Sequence, residues 1–275
     1  MFNNISIIGC GLIGSSILEA INKKNIAKKV FVYDKSKDVL SFLKKNNPNN
    51  NITNDIKFAV KDADLIIIAA PLSAYKEILL SIKDNIKANS ILTDTGSAKK
   101  EINKIIQNLN LNNISWISSH PIAGTENSGP SAGFSKIFEN RWCIVSPSSN
   151  SKENDINKIL KFWGQLGSNV KVMSFEEHDQ ILSVTSHLPH AIAYNIVRTA
   201  INNNKESRQE VIQYSAGGLR DFTRIAASDP IMWRDIFIDN SENILKVLEK
   251  FSKNLDEMKQ AIRDKNRDKL FEIFS

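Results

Sequence analysis

The sequence predicts an α/β fold, with an N-terminal doubly wound parallel sheet followed by an all-α C-terminal domain. Three observations carry the expectation. Short apolar runs alternate with amphipathic stretches through the first half, a glycine-rich turn stands between the first such run and the first helix, and strand-like runs stop after Met173.

The elements follow in order. Ile5 to Ile8 reads as a first strand and Leu12 to Lys24 as the helix after it. Val30 to Tyr33 and Ser36 to Lys45 repeat the pair, and the asparagine-rich stretch Asn46 to Asn51, interrupted by Pro48, reads as a surface turn. Leu65 to Ala69, Ile91 to Thr93, Trp116 to Ser118 and Cys143 to Val145 are further strands. Helices at Ala74 to Lys83 and Lys99 to Leu109 lie among them, and Asp155 to Leu166 with Asn169 to Val172 closes the unit. Beyond Ser174 helical periodicity takes over at Glu176 to Ala200, Arg208 to Ser215, Pro230 to Phe251 and Leu255 to Phe274. The expected domains are therefore 1–174 and 175–275, with no internal repeat.

Composition narrows the function classes. The chain has 275 residues, 41% of them hydrophobic, which is enough for a substantial core. Its apolar runs are strand-sized and fall short of the roughly 18 to 20 residues of a membrane span. The first strand starts almost at once, which leaves no room for a signal peptide and points to a cytosolic address. Cys10 and Cys143 read as reduced core thiols, neither a disulfide framework nor a metal pair. The net charge of +6 is spread along the chain without a basic block, so it favours anionic small molecules over nucleic acid.

The run Gly9-Cys10-Gly11-Leu12-Ile13-Gly14 is a G-x-G-x-x-G turn between strand and helix. In that setting the glycines allow a tight turn and close backbone approach, and the helix N-terminus, opened by Leu12 and Ile13, faces a pyrophosphate. Asp34 ends the second strand about 20 residues further on, where a carboxylate holds ribose hydroxyls. This is a Rossmann-type dinucleotide site. Because a carboxylate repels a 2′-phosphate, NAD is the expected cofactor and NADP ranks second, with Lys35 weakening the exclusion. Pro71, closing the strand that contains Ala69, would turn the chain over the cofactor, with a plain strand-ending proline as its alternative role.

Ligands of an open parallel sheet bind at the carboxyl ends of its strands. There the segments Thr93 to Lys99 and Ser119 to Glu126 stand out. His120 follows a strand directly, and an imidazole titrating near neutrality suits removal of a proton from an alcohol during hydride abstraction. Ser97 is the expected neighbour of that imidazole or of the substrate hydroxyl, with a helix N-cap as its alternative role. His178, between Glu177 and Asp179, reads as a helix-start residue.

The strings His120-Pro121-Ile122-Ala123-Gly124-Thr125-Glu126, Ser186-His187-Leu188-Pro189-His190 and Asp221-Phe222-Thr223-Arg224-Ile225-Ala226 resemble those of prephenate and arogenate dehydrogenases, as does Ser228-Asp229-Pro230-Ile231-Met232-Trp233-Arg234-Asp235. The resemblance runs from Ile5 to the C-terminal helix. It implies oxidative decarboxylation of prephenate to 4-hydroxyphenylpyruvate, or of arogenate to tyrosine, with NAD. It further implies that His120 is the catalytic base, that Ser97 bonds both the base and the substrate, and that Arg224 grips a substrate carboxylate, a task suited to a planar two-pronged donor. By the same resemblance His190, His187, Thr125, Glu126 and Trp233 line the substrate pocket. A metal pair at His187 and His190 is the weaker alternative, since companion ligands are lacking nearby.

Two rival readings share the architecture. A 3-hydroxyacid dehydrogenase would rely on a helical lysine, and a non-catalytic NAD sensor would need the glycines and Asp34 but no base. The presence of Ser97, His120 and Arg224 together favours the tyrosine-pathway enzyme. The helical half, with Ile244, Leu245, Leu248, Phe251 and Leu255 at helical spacing, resembles the family's dimer-forming unit and predicts a homodimer. The dehydrogenase-like region uses nearly all the length, so neither a mutase nor a regulatory domain is expected.

Overall fold

The computed structural model describes residues 2–109, 111, 114–149, 151–202 and 217–275. Its strands are β1 (Phe2–Ile8), β2 (Ala27–Tyr33), β3 (Asn51–Thr53), β4 (Leu65–Ile68), β5 (Ile91–Asp94), β6 (Ser115–Pro121), β7 (Trp142–Pro147) and β8 (Asn169–Val172). They form one sheet in the order β3-β2-β1-β4-β5-β6-β7-β8. The winding direction reverses between β1 and β4, and that switch point opens a crevice at the carboxyl ends of the strands.

The central strands are rich in apolar residues, and β4 is wholly apolar, because helices cover both faces of a parallel sheet. Ile5, Ile7, Leu65, Ile66, Ile67 and Ile68 are fully buried. Each such side chain contributes about 1.5–3 kcal/mol relative to exposure. Helix α1 (Leu12–Lys24) turns Ile17, Leu18 and Ile21 into this core, carries Lys23 and Lys24 in its last turn, and stops at Asn25 in the left-handed region. Helix α2 (Lys37–Asn46) is capped by the Ser36 hydroxyl, which accepts from the Val39 amide. Helices α3 (Ile56–Val60), α4 (Tyr75–Ile82), α5 (Lys100–Asn108) and α6 (Glu153–Leu166) complete the layers.

The remaining helices are α7 (Phe175–Leu182), α8 (Leu188–Asn202), α9 (Gly217–Ala226), α10 (Pro230–Asp239), α11 (Ser241–Arg263) and α12 (Arg267–Phe274). A π-type turn over Ser183–His187 joins α7 to α8. Pro189 follows it, and a proline that can donate no amide hydrogen bond to the preceding turn is a natural neighbour of such a bulge. The chain forms two compact units, Met1–Asp179 with Ala227–Asp239, and Gln180–Ala226 with Asn240–Ser275. In the first, the Ser73 amide donates to Asp235 on α10 at 3.2 Å. In the second, α9 packs on α8 and α12 on α11.

Several expectations change. The sheet is not wholly parallel: β6 and β7 run antiparallel, pairing His120 with Ile144. The segment between them contains only the short 3₁₀ turn Pro130–Ala132 and no crossover helix, so the chain returns in the opposite direction. The turn at Asn46 to Asn51 ends in the edge strand β3, and α3 was not anticipated. The single helix expected over Pro230 to Phe251 breaks at Asn240, whose side-chain oxygen accepts from Asn243. The helix expected over Leu255 to Phe274 breaks where Lys265 takes φ 51° and Asn266 caps α12 by accepting from the Lys269 amide. The helix expected at Arg208 to Ser215 lies outside the described residues.

Candidate active site

The glycine turn is built for close approach. Gly9 adopts φ +89°, and a Cβ on it would stand 2.7 Å from the Ala69 carbonyl oxygen at the end of β4. A Cβ on Gly14 would stand 2.1 Å from the Gly9 oxygen, so α1 packs against the turn only because position 14 has no side chain. Gly11 differs: a Cβ there would meet nothing within 4 Å. It is also the N-cap of α1, and no side chain caps that helix start. The open turn fits a pyrophosphate. Asp34 braces it, accepting from the Cys10 amide at 2.8 Å and the Ser36 amide at 2.8 Å. Leu12 and Ile13 form the first turn of α1, and Pro71 introduces the 3₁₀ turn Leu72–Ala74 after β4.

His120 occupies the carboxyl end of β6 and is 8% exposed. Its Nδ1 lies 2.8 Å from Nε2 of His178, whose own Nδ1 lies 2.8 Å from Asp179 Oδ1. His178 and Asp179 are both fully buried, and burial pushes the His178 imidazole below the usual histidine range. Asp179 also accepts from the amides of Lys99 and Lys100, each at 2.9 Å, and thereby caps α5 from a distant helix. His178 stands in the first turn of α7, as the sequence reading has it, and in addition meets His120.

Ser97 is half-buried between β5 and α5, and no hydrogen bond joins it to His120 among the described residues. It is not the N-cap of α5 either, since that position is Lys99. Beneath it, the Lys99 amine lies 2.8 Å from Asp94 Oδ2 and 2.6 Å from the Ser119 carbonyl. Burial holds this amine below its ordinary range, with Asp94 opposing the shift. Asp94 also accepts from the Ser118 hydroxyl at 2.5 Å and the Ser119 amide at 3.1 Å. The pair ties the end of β5 to the strand bearing His120.

The other expected residues are placed as follows. Thr125 and Glu126 are exposed in the segment after β6. Trp233 is buried on α10, its ring 5.6 Å from that of Phe237. In the second unit, His187 is buried with its Nδ1 3.1 Å from the Asn240 amide nitrogen, and His190 Nδ1 donates to the Ser186 carbonyl at 2.8 Å. Arg224 is exposed on α9. Among the described residues no group of three His, Cys, Asp or Glu side chains could hold a metal ion, and no helix is long and apolar enough to cross a membrane.

Two family models divide the chain between them. Residues 17–172 match the nucleotide-binding domain of prephenate dehydrogenase, and residues 174–275 match its dimerization domain. The chain belongs to the prephenate dehydrogenase family. Among relatives of that family, a cyclohexadienyl dehydrogenase of Zymomonas mobilis is 39% identical over 100% of this chain and 93% of its own length. A prephenate dehydrogenase of Bacillus subtilis is 29% identical over 100% of this chain and 74% of its own. The crystal structure of the Aquifex aeolicus prephenate dehydrogenase, in complex with hydroxyphenyl propionate and NAD+, superposes with a TM-score of 0.91 at 30% identity, covering 100% of this chain and 95% of that one.

Family membership gives the first unit a nucleotide-binding role, and the close-packed glycine turn, open at Gly11, agrees with it. Sequence reasoning missed Asp94, Lys99, His178 and Asp179 as members of the site's support. A charged residue ending an apolar strand, as in Leu92-Thr93-Asp94, was the available signal for the first of these.

Proposed function

We propose that this family member is a prephenate dehydrogenase that oxidatively decarboxylates prephenate to 4-hydroxyphenylpyruvate with NAD, in tyrosine biosynthesis. The observation that carries the reading is His120. It is an imidazole at the carboxyl end of a sheet strand, held through Nδ1, in a unit whose glycine turn and Asp34 suit a dinucleotide. Bound there, the dinucleotide would supply the acceptor for a hydride. His120 takes the proton of the ring hydroxyl as that hydride leaves the same carbon. The electron pair of the departing carboxylate bond then moves into the ring, and the oxygen recovers a proton as the aromatic product forms. Because aromatisation drives the reaction, the protein's tasks are placement, a base and a carboxylate clamp.

Residues 1–174 serve the dinucleotide and residues 175–275 serve substrate binding and dimerisation. Arg224 is the proposed carboxylate ligand, with His190, His187, Thr125, Glu126 and Trp233 as pocket residues and Ser97 as the partner of the substrate hydroxyl. NAD is favoured over NADP because the Asp34 carboxylate would repel a 2′-phosphate. A homodimer is supported by the match to a dimerization domain and by the exposed apolar side chains Leu245, Leu255 and Ile262 on α11. The cyclohexadienyl dehydrogenase relative supports arogenate as the second substrate.

The test is NADH formation followed with prephenate and with arogenate, then repeated with NADP. Turnover of prephenate with NAD is the expected result. Exclusive use of arogenate would replace the substrate, and inactivity with both would overturn the proposal.

A further inference from the structure

We infer that His178 is a positioning residue that holds His120 in its Nδ1-protonated tautomer, so that Nε2 is the proton-accepting nitrogen. The inference deepens the reading of His120 as the base and rests on it.

The argument runs inward from Asp179. Its Oδ1 accepts from the Lys99 amide and its Oδ2 from the Lys100 amide, so the carboxylate is pinned across the start of α5. Oδ1 also meets His178 Nδ1 at 2.8 Å, and a carboxylate so engaged is an acceptor, which puts the hydrogen on His178 Nδ1. Burial lowers the proton affinity of His178, and of the nearby charges Lys99 acts in the same direction while Asp179 and Asp94 oppose it. A neutral ring protonated on Nδ1 carries its lone pair on Nε2. That atom lies 2.8 Å from His120 Nδ1, so His120 must donate. The ring of His120 is thereby left with a basic Nε2.

The same chain of bonds serves the reaction. When Nε2 accepts the substrate's hydroxyl proton, the resulting imidazolium goes on donating from Nδ1 to a neutral ring backed by a carboxylate. Without the acceptor, Nδ1–H would be buried unpaired, and the tautomer protonated on Nε2 would become the better one. That tautomer cannot act as the base.

The test uses the full chain labelled with 15N in histidine. Its four histidines, His120, His178, His187 and His190, can be assigned by single substitution. Long-range 15N–1H correlation spectra above the titration of His120 should show a protonated Nδ1 and an unprotonated Nε2. The opposite pattern overturns the inference. This arm needs no substrate or cofactor, so it decides the point even if wild-type inactivity with both cyclohexadienyl acids sinks the functional reading.

Kinetics supply a second arm. In His178→Gln the amide keeps an acceptor for His120 and a donor for Asp179, and kcat should stay close to the wild-type value. In His178→Leu kcat should fall by about 10²-fold, the usual worth of a base, with KM little changed and the acid limb of the pH profile displaced to lower pH. Equal losses in a folded Gln and a folded Leu variant, or a wild-type kcat in the latter, would show that His178 only fills space.

Discussion

The Lys99 amine lies 2.8 Å from Asp94 Oδ2, and both side chains are completely shielded from solvent. The amine also holds the Ser119 carbonyl, one residue before His120. Removing one member of such a pair leaves its partner as an uncompensated charge in a dry interior, at a cost of about 3–5 kcal/mol. Lys99→Met should lose this much in urea unfolding. The Asp94→Asn/Lys99→Met double variant should lose less than the sum of the single losses. Additive losses would mean that the ion pair is not the source of the effect.

The three glycines of the turn should separate by experiment. Gly14→Ala forces a methyl group onto the Gly9 oxygen and should cost stability, by about 1–3 kcal/mol for overpacking of this kind. Gly11→Ala meets nothing, so its melting temperature should match the wild type while its KM for the dinucleotide rises. A Gly11→Ala enzyme with unchanged cofactor binding would remove the pyrophosphate from this cradle.

Asp239 gives a pH signature. Burial, with the charges of Asp235, Glu101 and Asp179 adding to it, raises its carboxyl from the usual 3.8 to about 6. The native state then binds this proton more tightly than the unfolded chain does. Its stabilising contribution is complete below the unfolded value of 3.8 and fades as pH climbs to about 6, beyond which a constant penalty remains. Asp239→Asn should therefore be more stable than the wild type at pH 7 and nearly equal to it near the unfolded value. Denaturation curves with an identical pH dependence for both proteins would refute this.

Arg224 has a binding role in the account. Truncating one partner of a buried, hydrogen-bonded charge pair costs about 2–5 kcal/mol in binding. Arg224→Ala should accordingly raise KM for the cyclohexadienyl acid by more than ten-fold, at about 1.4 kcal/mol per factor of ten, with a smaller effect on kcat. An unchanged KM would assign the carboxylate to another group.

Seven of the eight strands of the sheet and most of its helices were legible because their signals are local. Leu65 to Ile68 is apolar on both faces, Ile5 to Ile8 is apolar but for Ser6, and Leu12 to Lys24 begins at a glycine turn and ends in lysines. Strand β3 has three residues on the sheet edge, too few for an alternation to register. Nor did periodicity reveal the breaks at Asn240 and Lys265, because both are made by single residues whose side chains or φ angles interrupt an otherwise helical pattern. Within the site, the glycines, Asp34 and His120 sit in recognisable contexts. The partners of His120 do not: His178 is 58 positions away, and Asp179 caps a helix 79 positions before it. Such pairings exist only once the sheet and α7 are assembled.

Proton transfer to His120 is the step on which the enzymatic reading turns. The most direct measurement is the steady-state rate of NADH formation by His120→Asn beside the wild type, with saturating prephenate and NAD, on protein shown to be folded. Loss of a general base predicts a kcat lower by about 10²- to 10⁴-fold with KM changed little. An asparagine enzyme that turns over at the wild-type rate would contradict the account.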